Sequence, residues 1–305
     1  YIAPREHVAL SVDGSLLPSW KEYRELAQDA HKNTTSLGAL AGGSNLPLVL
    51  YPMGKSLDLS SFTQRPDSIL SGEGQLQLAG GTPIVGISVK SIATDELTAE
   101  CLAELAAAPQ TLLLLLESRG DNPVADWRWG FTQLRRAGIN CPILLRRRYE
   151  TSDLELFRLY AAADCGSIFL DGWGNGLCLE APHLPAEEII KTELGILQAA
   201  RLRMSKTEFI SCPGCGRTLY NLQNTIAEIK AATSHLKGLK VGIMGCIVNG
   251  PGEMADADYG YVGAAPGKID LYKGQECIKK GVPQAQAVEH LIDLIKEGGD
   301  WKDPE

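Results

Sequence analysis

From Pro83 onward the chain repeats one pattern at a nearly constant interval, and that repeat limits the folds open to it. Apolar strand-like runs begin near Ile84, Leu112, Ile143 and Ile168. Between them lie segments with apolar residues at helical spacing: Asp95 to Ala107, Val124 to Ala137 and Ser152 to Ala162. Parallel neighbours need a crossover of about a dozen residues or more, so this alternation reads as right-handed βαβ units and a parallel sheet. Weaker strand signals occur at His7 to Val12, at Leu46 to Tyr51, and near Ile69-Leu70 or Leu76 to Leu78. Together they predict an α/β domain in the form of a TIM-like parallel barrel, complete or incomplete. An open doubly wound sheet is the alternative. Pro18 to Ala30 reads as a further helix and 34–45 as a loop. Pro185 to Arg203 reads as a long helix closing the domain, with Pro185 suited to its first turn.

The repeat stops near Met204 to Thr207, which is where the sequence places a boundary between a first domain, 1–204, and a smaller α+β domain, 205–305. In the second, Glu208 to Ser211 and Leu239 to Met244 read as strands. Thr218 is a candidate N-cap for a helix reaching His235. Tyr259 to Val262, Ile269 to Tyr272 and Glu276 to Lys279 read as short strands, and Gln284 to Lys296 as the last helix.

Composition narrows the function classes. The 305 residues are 44% hydrophobic, enough for two cores. A net charge of −8 argues against a nucleic-acid partner. No uncharged apolar run reaches the ~18 residues of a membrane span, and Leu112 to Leu116 reads as a buried strand. The start lacks a basic segment followed by an apolar one, so no signal peptide is expected; Tyr1 in place of Met suggests a processed chain or a fragment. Eight cysteines in a chain this long do not form a disulfide scaffold and suit a reducing compartment. Cys101, Cys141, Cys165 and Cys178 stand in apolar surroundings and read as buried thiols.

The other cysteines are arranged differently. Phe209 to Thr218 reads F-I-S-C-P-G-C-G-R-T, and 241–253 reads V-G-I-M-G-C-I-V-N-G-P-G-E. Cys212 and Cys215 have two residues between them, so one turn can aim both sulfurs at one metal. The gap 216–245 has room for a helix and a returning strand that delivers Cys246. Glu253 follows the turn Asn249-Gly250-Pro251-Gly252. Thiolates select zinc, iron–sulfur clusters or copper(I) over hard cations. A structural zinc would recruit Cys277 or His235 as fourth ligand. An iron–sulfur cluster would take three thiolates and a weaker ligand such as Glu253. A redox dithiol is the third possibility, and spacing alone does not separate the three. The Gly- and Pro-rich stretch from Gly245 to Glu253 can point backbone N–H groups at cluster sulfurs, which favours the iron–sulfur reading.

Outside this motif the residues read as structural. Asp171-Gly172-Trp173-Gly174-Asn175-Gly176 lacks the lysine and helix start of a phosphate loop. Arg146-Arg147-Arg148 reads as a solvated or ion-paired patch in preference to an anion clamp, and Arg135-Arg136 as a favourable helix end. Glu117, Asp171 and Glu180 are candidate barrel-mouth carboxylates without a demonstrable pairing. His7, His31, His183, His235 and His290 have no ligand spacing. Arg217 is expected to pair with an acidic neighbour. Asn249 could hydrogen-bond a cluster sulfur or the substrate, or simply serve the turn.

C-P-G-C-G-R followed by M-G-C-I-V-N-G-P-G-E resembles the cluster-binding domain of the 4-hydroxy-3-methylbut-2-enyl diphosphate synthase family, over roughly 205–297 and including A-D-x-D-Y-G-Y-V-G. The resemblance implies a 4Fe-4S cluster on Cys212, Cys215, Cys246 and Glu253, with Glu253 both ligand and catalytic gate and Asn249 near substrate. It implies a two-electron reductive opening of 2-C-methylerythritol 2,4-cyclodiphosphate in the methylerythritol phosphate route to isoprenoids. Ferredoxin or flavodoxin would donate the electrons, in the cytoplasm of a bacterium or the plastid stroma of a plant. The family's N-terminal substrate-binding barrel shows none of its motifs here. Residues 1–204 resemble instead the barrel-like insertion of plant-type and some bacterial three-domain members. The expectation is therefore a C-terminal part that binds a cluster but has little or no activity alone.

Overall fold

The structure, a computed structural model, describes residues 21–26, 47–52, 62, 64, 66–71, 75–78, 83–84, 86–108, 112–248 and 250–303. The expected strand at His7 to Val12, the expected loop 34–45 and Asn249 lie outside the described residues, as does all of the helix expected over Pro18 to Ala30 except 21–26, which is helical. The chain forms two compact units, Tyr1–Arg203 and Met204–Glu305. Among the described residues no helix is long and apolar enough to cross a membrane.

The first unit carries β1 (Leu48–Pro52), β2 (Ser68–Leu70), β3 (Leu76–Leu78), β4 (Ser88–Ala93), α1 (Ala99–Ala106), β5 (Leu112–Glu117) and α2 (Pro123–Arg136). It continues with β6 (Ile143–Arg148), α3 (Leu154–Asp171), β7 (Gly176–Glu180) and α4 (Ala186–Ala199). Its seven-stranded sheet has the order β3-β2-β1-β7-β6-β5-β4. β4 to β7 are parallel and sequential, as βαβ units require. β1 pairs in parallel with β7, Leu48 opposite Gly176 and Val49 opposite Leu177, which is the first-to-last pairing that curls a sheet toward a barrel. The curl stops short of a ring, with β3 and β4 as the two edges. The result is a TIM-like, incomplete barrel.

Leu112 to Leu116 are buried on both faces, the mark of a parallel strand covered on each side. Leu112, Leu114 and Leu116 face the helices together with Ile143, Leu145, Leu177 and Leu179. Leu113 and Leu115 face inward with Leu50, Leu144 and Cys178. Trp127 of α2 is fully buried and its indole N–H donates to the Leu116 carbonyl at 2.9 Å.

Two expected strands fall elsewhere. Ile84 precedes the strand, joined to β3 by one N–H to the Leu76 carbonyl at 2.8 Å, and β4 begins at Ser88. Ile168 belongs to α3. Phe157, Ala161, Cys165, Ile168 and Phe169 follow helical spacing on the buried face, and the helix runs on until Gly172 caps it at φ 93°. The strand comes afterwards, as β7. The short run near Ile69 and the one near Leu76 are both strands, paired antiparallel.

The second unit carries β8 (Glu208–Ser211), α5 (Leu222–Thr233), β9 (Lys240–Met244), α6 (Gly250–Glu253), β10 (Tyr259–Ala265), β11 (Lys268–Lys273), β12 (Glu276–Pro283) and α7 (Gln284–Glu297). Its sheet order is β12-β11-β10-β9-β8. β8, β9 and β10 are parallel, and β10 to β12 form an antiparallel meander. One face buries Val241, Ile243, Tyr259, Tyr261 and Leu271 against Ile229 of α5 and Leu291 of α7. Asn221, not Thr218, caps α5, its side chain accepting the Asn224 N–H at 3.2 Å. Thr218 is instead held in the cysteine turn.

Candidate metal centre

Two parallel strands bring the cysteines together. Ser211 of β8 stands opposite Ile243 of β9, so both strands end at the same side of the sheet. Cys212 follows at once and its N–H donates to the Ile243 carbonyl at 3.3 Å. Gly245 and Cys246 follow β9. The Gly245 N–H donates to the Cys212 sulfur at 3.2 Å, a direct bond between the two halves of the motif.

The turn carrying Cys215 is fixed locally. Its N–H donates to the Thr218 hydroxyl at 3.1 Å, and the Thr218 N–H returns to the Cys215 carbonyl at 2.9 Å. Leu219 N–H then donates to the Gly245 carbonyl at 3.2 Å. The Tyr220 hydroxyl donates to the Met244 carbonyl at 3.0 Å, and its ring meets Tyr261 edge-on at 5.5 Å. Glu253 ends the short helix α6 and is exposed, as is Cys215; Cys212 and Cys246 are half-buried.

Electrostatics group the same residues. The charges of Cys215, then Cys246 and Glu253, all act on the Arg217 guanidinium. The Arg217 backbone N–H, then its guanidinium, hold the Cys215 thiol below its ordinary range, against an upward push from Glu253. Glu253 is the acidic neighbour that acts on Arg217, after the sulfurs of Cys215 and Cys246. The Cys215 turn stands ahead of α5, which begins only at Leu222. Burial, then Tyr261, Cys212 and Cys246, push the Tyr220 hydroxyl upward.

Cys212, Cys215, Cys246 and Glu253 therefore gather at one end of the second unit's sheet. Among the described residues no three Cys, His, Asp or Glu side chains converge on the position of a single ion. The zinc alternative also fails on its fourth ligand. Cys277 opens β12, three strands from β9, or about 14 Å at ~4.8 Å per strand. His235 follows α5 at the opposite end of the sheet and meets the Lys302 carbonyl at 2.8 Å. A donor set of three thiols and a carboxylate, with N–H groups aimed at two of the sulfurs, suits a cluster of several metal atoms better than one ion.

In the first unit the charged candidates are taken up by one another. Arg146 meets Glu180 at 2.7 Å, Arg119 meets Glu117 at 3.2 Å, and Arg128 meets Asp171 at 2.8 Å. Arg147 donates to the Ser118 and Gly120 carbonyls at 3.2 and 3.0 Å. Sequence reasoning missed Thr218 and Tyr220 as supports of the cysteines, and nothing local marked them. The stretch from Gly245 was read as one that can bring backbone N–H groups to sulfur, and the Gly245 N–H meets the Cys212 sulfur.

Comparison with known proteins agrees with the motif. Residues 208–297 match the GcpE protein C-terminal domain. A Porphyromonas gingivalis protein, described as 4-hydroxy-3-methylbut-2-en-1-yl diphosphate synthase (flavodoxin), is 52% identical over 272 residues, 89% of this chain and 46% of that protein. Proteins of the same description from Parabacteroides distasonis and Protochlamydia amoebophila are 56% and 42% identical, over 66% and 85% of this chain and 33% and 38% of theirs. The chain spans less than half the length of these relatives. With its motif, its C-terminal domain and its relatives in agreement, the chain belongs to the 4-hydroxy-3-methylbut-2-en-1-yl diphosphate synthase (GcpE) family.

Proposed function

We propose that the second unit is the cluster-bearing domain of an iron–sulfur oxidoreductase, with Cys212, Cys215, Cys246 and Glu253 holding a 4Fe-4S cluster. The observation that carries this reading is the arrangement of three accessible thiols and one exposed carboxylate at the paired ends of β8 and β9. When bound, the cluster supplies electrons one at a time and an iron that acts as a Lewis acid. Gly245 N–H holds the Cys212 sulfur, and the Arg217 backbone N–H and guanidinium lower the Cys215 thiol. Glu253 is the labile ligand: an exposed carboxylate on a short helix can leave where the thiolates stay. Asn249 is assigned to the substrate side on the motif alone.

The reaction proposed is the two-electron reductive opening of 2-C-methylerythritol 2,4-cyclodiphosphate, with flavodoxin or ferredoxin as donor, in isoprenoid biosynthesis. The relatives' name supports it, including the word flavodoxin. We assign 1–204 as the TIM-like insertion domain, a spacer that holds the cluster domain, 205–305, against a substrate-binding barrel. The paired arginines and carboxylates of the first unit support a structural role for it. Eight free thiols suit a reducing, cytoplasmic setting.

Anaerobic reconstitution tests the reading. Iron and sulfide in equal amounts with a brown absorbance are expected, and one zinc per chain without sulfide would overturn it. Ring opening by this chain alone, given a reductant, would overturn the division of labour.

A further inference from the structure

Thr218 lies where the two halves of the motif meet. Its hydroxyl accepts the Cys215 N–H at 3.1 Å. Its other side presses on Gly245, where an added Cβ would stand 2.8 Å from the Thr218 hydroxyl oxygen and 3.0 Å from its methyl carbon. The Gly245 carbonyl in turn lies close to Gly263, where an added Cβ would collide with its oxygen. The same Gly245 donates to the Cys212 sulfur and accepts from Leu219. One hydroxyl and one methyl thus couple the Cys215 turn to the backbone that carries Cys246.

We propose that Thr218 is a positioning residue that sets the separation of Cys215 from Cys246. The proposal rests on the cluster reading above. The hydroxyl is the active part, because it alone bonds the turn. Thr218→Val keeps the shape and leaves the Cys215 N–H without its acceptor. Thr218→Ser keeps the acceptor and loses only a methyl group.

The experiment uses the full chain, loaded anaerobically with iron and sulfide and then challenged with an iron chelator. Decay of the visible absorbance gives the rate of cluster loss, and the electron paramagnetic resonance spectrum of the reduced sample reports the geometry. Thr218→Val is expected to lose the cluster about tenfold faster, the equivalent of one hydrogen bond, with an altered spectrum. Thr218→Ser should follow the parent chain. Urea unfolding of the metal-free Thr218→Val chain should match the parent, which separates positioning from misfolding. Equal retention in Thr218→Val and the parent overturns the proposal, as does a Thr218→Ser chain that decays like Thr218→Val. A shifted urea midpoint in metal-free Thr218→Val also overturns it, in favour of a general structural role. A parent chain that takes up no iron and sulfide overturns the cluster reading and this proposal together.

Discussion

The two units hold the same residue type in opposite states. Cys165 and Cys178 of the first are fully buried, and burial pushes both thiols far above their ordinary range. Burial also pushes Cys141 up to about 11. In the second unit Cys215 is exposed and its thiol is lowered by the N–H groups of Arg217. Sequence order does not set this difference; the strand ends do. A cysteine inside a parallel sheet or under a helix behaves as a small hydrophobe, whereas one just past a strand end meets backbone donors and solvent. Cys277 sharpens the contrast from within the second unit. It lies on β12 rather than past a strand end, and burial raises its thiol.

The largest expected effect breaks the contrast at its centre. Cys246→Ser should abolish iron and sulfide uptake almost completely, and Cys215→Ser should do the same. Cys277→Ser and Cys178→Ala should load like the parent chain, because neither side chain reaches the site. Iron and sulfide content after anaerobic reconstitution decides it. Loss of loading in Cys277→Ser would reinstate a ligand role for the edge strand.

Next in size is thiol reactivity in the metal-free chain. Cys215 should be alkylated readily at a pH below the ordinary thiol range, since a lowered thiol carries more thiolate. Cys165 and Cys178 must wait for the first unit to open, which slows them by on the order of a thousandfold or more. Mass spectrometry of peptides after a timed alkylation measures both rates. Comparable rates would mean that burial does not govern these thiols.

The same contrast explains how much could be read in advance. The βαβ alternation was legible because Leu112 to Leu116 and Ile143 to Leu145 are unbroken apolar runs, as strands buried on both faces must be. The pairing of β1 with β7 was not, because no local pattern in Leu48–Pro52 names its neighbour. Ile168 misled because the buried Ile168 and Phe169 stand next to an exposed Leu170, which makes a short apolar run inside a helix, and Gly172 marks the true end. In the second unit the cysteine spacing pointed to a candidate metal site, while the Asn221 cap and the Gly245 bond to the Cys212 sulfur depend on three-dimensional placement.

The smallest expected effect concerns a buried acid that balances the exposed Glu253. Glu193 of α4 is fully buried, and one of its oxygens accepts the Leu179 N–H at 2.7 Å while the other has no partner among the described residues. Burial raises its carboxyl well above the ordinary value of 4.5, the Leu179 N–H opposes this, and Asp67 adds to it. A folded-state value above the unfolded one means the unfolded chain releases its proton first as pH climbs. The stability this group contributes is complete below pH 4.5 and is lost as pH rises toward the folded value, with a slope of at most about 1.4 kcal/mol per pH unit. Glu193→Gln keeps an acceptor for Leu179 and cannot ionise. Urea unfolding of the first unit, followed by tryptophan fluorescence, should show the parent losing stability relative to Glu193→Gln above pH 4.5, with the gap closing below it. A gap that stays constant with pH would mean that Glu193 folds already ionised, and that the first unit tolerates a buried charge which the thiols of Cys165 and Cys178 argue it excludes.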